Sequence, residues 1–196
     1  MEQLLPSSGA ILDWGCGHGL LDVWAATRSP GRSVVGVDID ARKVATARLA
    51  SEAAGVGGRT WFTLIPPDSL PEGRWDAIVL DDVAYLLEPQ QLDALLRRSC
   101  QLLLPGGRVI VKDAMGAATW KRRLSALQEQ AAVRLARTTA TAAGVHPPPS
   151  ADHLAELLAS QGLSVRRIAL DRGYHVPHLA VVGERSAEYV DAPRGW

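Results

Sequence analysis

Net charge is the first thing this sequence lacks. Its 196 residues carry 21 basic and 21 acidic side chains, so no global field advertises a nucleic-acid or membrane partner. Cysteine is scarce. Cys16 and Cys100 make no disulfide framework, and a reducing cytoplasm is the expected compartment. No apolar run approaches the ~20 residues of a membrane span. The opening Met-Glu-Gln-Leu-Leu-Pro-Ser-Ser-Gly has neither the basic region nor the long apolar core of a signal peptide. Repeats and interdomain linkers are also missing, and the length suits a single domain, 1–196, with a sizeable core.

What is present is concentrated in residues 10–19, Ala-Ile-Leu-Asp-Trp-Gly-Cys-Gly-His-Gly. Ile11 and Leu12 read as the end of a buried strand, and Leu20, Leu21, Val23 and Trp24 resume at helical spacing. A strand that turns through glycines into a helix lets the backbone approach a ligand closely. The dinucleotide fingerprint Gly-x-Gly-x-x-Gly fails, because Leu20 stands three positions after Gly17. Asp13 also opposes a pyrophosphate. A carboxylate about 5 Å away costs roughly 3 kcal/mol per charge pair at an effective dielectric near 20. Asp13-x-Gly15-x-Gly17-x-Gly19 instead resembles motif I of the class I, Rossmann-like methyltransferases of small-molecule type. Their cofactor, S-adenosylmethionine, carries an ammonium and a sulfonium that suit an acid. The resemblance puts Asp13, Gly15, Cys16, Gly17 and Gly19 in the cofactor site.

Ser33–Asp38 is a short apolar run ending in an acid, 19 residues after Gly19. Asp38 is placed to accept both ribose hydroxyls, with Ile39 beside it in the same site. Asp40 is the better cap for a helix over Ala41–Ala53. Thr60–Leu64 has the propensity of an outer strand. In the resemblance, Asp68 and Ser69 stand where an acid and a backbone amide take the adenine ring. The four apolar residues Ala77–Leu80 read as a central strand, with Asp81 and Asp82 at its carboxyl end, the edge where ligands bind in open α/β sheets. Asp81 is expected near the methionine end. The Asn-Pro-Pro-Tyr type signature of base amino methylation is absent, which demotes nucleobases as substrates. Leu92–Leu104 reads as an amphipathic helix stopped by Pro105-Gly106-Gly107, with a strand over Arg108–Asp113.

The resemblance thus runs unbroken over residues 10–113. It implies an α/β fold with a doubly wound, seven-stranded, mostly parallel sheet, the last strand antiparallel and helices on both faces. Only about nine residues precede the first strand, where relatives carry a further helix over the cofactor, so another element is expected to close the pocket.

Residues 114–150 are read as a helical cap. Trp120, Leu124, Leu127, Ala131 and Leu135 make an apolar stripe over 117–142, and Lys121, Arg122, Arg123, Arg134 and Arg137 face only Glu129. Such a basic side suits an anionic substrate, a carrier protein or peripheral contact with a membrane surface, and equally a solvated helix face. Residues 163–170 and 178–183 read as a closing hairpin.

In that topology His175 and His178 sit on the rim near the glycine loop. A histidine with an ordinary pKa of about 6.5 deprotonates a phenol or acid hydroxyl at neutral pH. Tyr85 stands where relatives often have a histidine. Catechol-type members bind Mg²⁺ with acids at positions like Asp81 and Asp113, but Ala114 replaces their Asn ligand, so no metal is expected. The reading is methyl transfer from S-adenosylmethionine to a small or carrier-linked metabolite at oxygen, with nucleic acid a minor option. A non-catalytic cofactor-binding partner subunit, or a cofactor-binding enzyme of another reaction such as cyclisation, are the rivals.

Overall fold

The computed structural model describes residues 1–66, 69–113, 146, 149–170 and 178–188. Its strands are β1 (Gly9–Trp14), β2 (Arg32–Asp38), β3 (Thr60–Leu64), β4 (Trp75–Asp81), β5 (Leu103–Asp113), β6 (Ser164–Ala169) and β7 (Leu179–Glu184). The helices are α1 (Leu20–Arg28), α2 (Ala41–Ala53), α3 (Pro89–Gln101) and α4 (Ala151–Ser160). The strands form one sheet in the order β3-β2-β1-β4-β5-β7-β6. β1 to β5 pair in parallel, while β7 runs antiparallel to both β5 and β6. This is the expected Rossmann-like methyltransferase sheet.

The central strands are continuous apolar runs because both faces are covered. Leu12, Ile78, Leu80, Val109 and Val111 pack with Leu92, Leu95 and Leu96 of α3 and Leu154, Leu157 and Leu158 of α4. Ile11, Val34, Ala77, Val79 and Ile110 face the other way, onto Ala25 and Ala26 of α1 and the N-terminal Leu4 and Leu5. Helix starts follow their caps. Asp40 accepts from the Arg42 and Lys43 amides, Ser150 accepts from the Asp152 amide, and Glu88 with Gln91 forms a capping box ahead of Pro89.

Two boundaries shift. Helix α3 covers Pro89–Gln101 rather than Leu92–Leu104, since the capping box and Pro89 start it a turn earlier. Strand β5 then begins at Leu103 and passes through the Pro-Gly-Gly, with a register break opposite Trp75 and Ala77. A Cβ on Gly107 would stand 2.8 Å from the carbonyl oxygens of Leu104 and Trp75, so the break needs glycine there. In α1 the larger apolar residues are not the fully buried ones, Leu21 and Val23 being half-buried against the core. Asp22, Ala25 and Ala26 face the sheet, and Leu20 (78% exposed) and Trp24 (37%) face out. Two alanines and a short acid suit close contact between helix and sheet; Leu and Trp there would hold the helix off. The 117–142 segment, Asp68, Tyr174 and His175 lie outside the described residues.

Candidate functional site

The carboxyl ends of β1, β2, β4 and β5 share one edge of the sheet, and the amino end of β7 meets them there because it runs antiparallel. At β1 the chain turns through Gly15, Gly17 and Gly19, with φ of 84°, 55° and 74°, a region closed to most side chains. The Gly15 and Cys16 amides both bond to the Val37 carbonyl at 2.8 and 2.9 Å, tying the loop to β2. A Cβ on Gly15 would meet Val83 at 2.6 Å, and one on Gly19 would meet Ala47 at 2.7 Å. Above Gly17 there is nothing within 4 Å. Gly15 and Gly19 are packed, and Gly17 faces open space.

Asp38 closes the loop from the side. The Gly17 amide donates to its Oδ2 at 2.9 Å, and the Asp40 amide to its Oδ1 at 2.9 Å. Ile39, next to it, is 40% exposed. On the other flank, the Trp14 indole N–H donates to the Ser69 carbonyl at 2.9 Å, which anchors the Ser69 loop beside the glycines. The structure therefore brings Asp13, Gly15, Cys16, Gly17, Gly19, Asp38, Ile39 and Ser69 together.

The floor of the loop is acidic. Asp13 is buried, and burial together with the charges of Asp22, Asp81 and Asp38 raises its carboxyl well above the usual range. Asp22 is fully buried and is pushed up to about 7, chiefly by burial. Burial and the same acids raise the Cys16 thiol, so it stays protonated and is no nucleophile. An acidic floor beneath a glycine turn with free space above fits the cationic methionine end of S-adenosylmethionine, and Asp38 beside it fits a ribose.

Next to the loop, Lys112 of β5 is buried with its Nζ 2.7 Å from Asp81 Oδ1 and 2.5 Å from Asp82 Oδ2. Burial works against its charge, but bonds to both acids outweigh that and raise its pKa. Asp81 is raised by burial, against the pull of Lys112. Asp82, with φ of 53°, is the one non-glycine residue at positive φ among those described. Its amide donates to the Lys112 carbonyl at 2.9 Å, and its Oδ1 lies 3.4 Å from His178 Nε2. Tyr85 follows in a 3-10 turn over Ala84–Leu86, half-buried, with its carbonyl taken by the His146 amide.

Sequence reasoning missed Asp22, and it set Asp82 on the ligand edge without pairing it to Lys112. Asp22 was legible as an acid in step with Ala25 and Ala26; Lys112 as a cation ending an apolar strand beside an acid pair.

Known proteins share this fold. The methyltransferase-domain family matches residues 11–107, about half of the chain. A 109-residue stretch is 34% identical to ribosomal RNA small subunit methyltransferase C of Chromohalobacter salexigens, covering 54% of this chain and 32% of that protein. The solved structure of an O-methyltransferase family protein from Burkholderia thailandensis superposes with a TM-score of 0.70 at 20% identity, over 92% of this chain and 52% of the other. Magnesium protoporphyrin IX methyltransferase from Synechocystis PCC 6803, solved with bound S-adenosylhomocysteine, gives 0.66 at 21% identity, over 91% and 75%. Sheet order and glycine turn define a Rossmann-like nucleoside-cofactor domain. The chain belongs to the class I methyltransferases, which use S-adenosylmethionine. It spans about a third of the length of the curated relatives it matches. Among the described residues, no helix is long and apolar enough to cross a membrane.

Proposed function

We propose that this chain transfers the methyl group of S-adenosylmethionine to a hydroxyl of a small or carrier-linked metabolite, with His178 as the base. The carrying observation is the Asp82–His178 contact at 3.4 Å, on the sheet edge that also bears the glycine loop. In this reading Asp13, Gly15, Cys16, Gly17, Gly19, Asp38, Ile39, Asp68, Ser69 and Asp81 hold the cofactor.

Bound S-adenosylmethionine supplies a methyl group on a positively charged sulfur, a leaving group that needs no activation. Alignment and proton removal are left to the chain. His178 would take the proton of the acceptor hydroxyl on Nδ1, its Nε2 facing Asp82, as that oxygen receives the methyl group. Asp82 steadies the resulting imidazolium, and Lys112 fixes Asp82. Tyr85 orients the acceptor, and His175 is the second candidate base. No metal enters this scheme.

Acceptor-dependent release of S-adenosylhomocysteine tests the proposal, starting with phenols and other hydroxyl compounds. Release that falls sharply in His178→Ala supports it. Cofactor binding without release from any acceptor favours a non-catalytic partner subunit. A second reading, RNA methylation, is favoured by the 34% identity to the ribosomal RNA enzyme; release with ribosomal RNA alone would put it first.

A further inference from the structure

Asp22 occupies an unusual place. It projects from the first turn of α1 onto the sheet and is fully buried. β2 makes room for it with Gly36, where a Cβ would stand 2.7 Å from Asp22 Oδ1 and 2.9 Å from the Cys16 Cβ. The carboxyl thus lies directly beneath the glycine loop. Among the described residues, no donor reaches either Asp22 oxygen or Asp13 Oδ1. The titratable groups facing the pair are Asp13 itself from β1, Asp38 from β2, Asp81 from β4 and the Cys16 thiol from the loop. The neighbouring cation, Lys112, is shared between Asp81 and Asp82.

Ionised carboxylates only accept hydrogen bonds, so Asp13 and Asp22 bond to each other only when one of them carries a proton. Two buried charges of one sign, with no donor between them, otherwise stand in low dielectric without compensation. We infer that Asp13 and Asp22 hold one proton between them in the ligand-free chain, and that binding of S-adenosylmethionine expels this proton. The inference rests on the cofactor-site reading above. The ammonium and sulfonium of the cofactor bring positive charge to a pair that can then ionise fully. The balance is one proton from the Asp13–Asp22 pair to the buffer, and one further negative charge on the protein for each cofactor bound.

The test is calorimetric titration of the full chain with S-adenosylmethionine at pH 6.5, in two buffers of different ionisation enthalpy. The difference in heat counts the protons. Between about half a proton and one is expected for the wild-type chain. Affinity should rise roughly tenfold from pH 5.5 to pH 7, as linkage to one group titrating near neutrality requires. In Asp22→Asn, which keeps the shape and offers Asp13 a donor, binding should persist with no proton release and a flat pH profile. Equal heats in the two buffers for the wild-type chain overturn the inference while leaving the cofactor site standing. So does undiminished release from Asp22→Asn. Absence of saturable heat up to millimolar cofactor overturns the cofactor-site reading and this inference with it. The wild-type measurement decides alone if Asp22→Asn fails to fold.

Discussion

The amide of Gly17 donates to Asp38 Oδ2 at 2.9 Å. One carboxylate thereby joins the glycine turn after β1 to the end of β2, and its other oxygen receives the Asp40 amide. Each oxygen keeps a lone pair for a ribose hydroxyl. Asp38→Ala therefore removes two roles together, ligand contact and loop support. With bonds to a charged acceptor worth about 1.5–3 kcal/mol each, S-adenosylmethionine affinity should fall on the order of a hundredfold. Calorimetry measures this directly. Affinity within threefold of wild type would remove Asp38 from the site.

Gly17 and Gly19 share a left-handed backbone but not an environment. A methyl on Gly19 strikes Ala47 and Phe62, whereas one on Gly17 enters open space. Gly19→Ala should cost about 2–4 kcal/mol, combining left-handed strain with overpacking. Gly17→Ala carries the strain alone, about 1 kcal/mol, yet fills the room the cofactor needs. Chemical denaturation paired with a binding titration checks the contrast. The expected result is a weakened fold in Gly19→Ala, and a nearly intact fold with lost binding in Gly17→Ala.

Much of this was legible in the sequence, because the signals were local. Glycine spacing, the acid ending β2 and the apolar runs of β1, β4 and β5 each encode a strand or turn within ten residues. What escaped depended on contacts across the sheet. Asp22 reads as one polar residue among apolar neighbours until Gly36, fourteen positions on, opens the space beneath it. Lys112 reads only as a cation ending an apolar strand until the parallel register sets it opposite Asp81. The buried face of α1 was not legible for the same reason, since packing distance rather than side-chain size selects Ala25 and Ala26.

Asp22 also predicts how stability varies with pH in the ligand-free chain. Its carboxyl is raised from 3.8 to about 7 by burial. Between these values the native state holds a proton that the unfolded chain has released, so the share of stability that Asp22 contributes falls as pH rises from about 4 to 7. The slope from this group approaches 1.4 kcal/mol per pH unit. Asp22→Asn should remove that slope and be more stable than wild type at pH 8. Urea denaturation at pH 5, 6, 7 and 8 reads both effects, and parallel curves for the two proteins would show that Asp22 is ionised throughout.

At the acceptor end, Lys112 and His178 should separate structure from chemistry. Lys112→Met leaves Asp81 and Asp82 facing each other without their shared cation, and Asp81 is largely buried. Loss of a partner from such a group costs about 3–5 kcal/mol when burial is complete, so a somewhat smaller loss of fold stability is expected, and Lys112→Arg should recover part of it. His178→Ala removes the contact to Asp82 but leaves Lys112 between Asp81 and Asp82. Its fold and cofactor affinity should match wild type, while turnover falls by about 10²–10⁴-fold, the usual contribution of a general base. Asp82→Asn should fall between the two, slowing turnover by weakening support for the imidazolium. Single-turnover rates with saturating cofactor, set beside melting curves, distinguish the three. Full activity in His178→Ala would move the base to another residue of the rim.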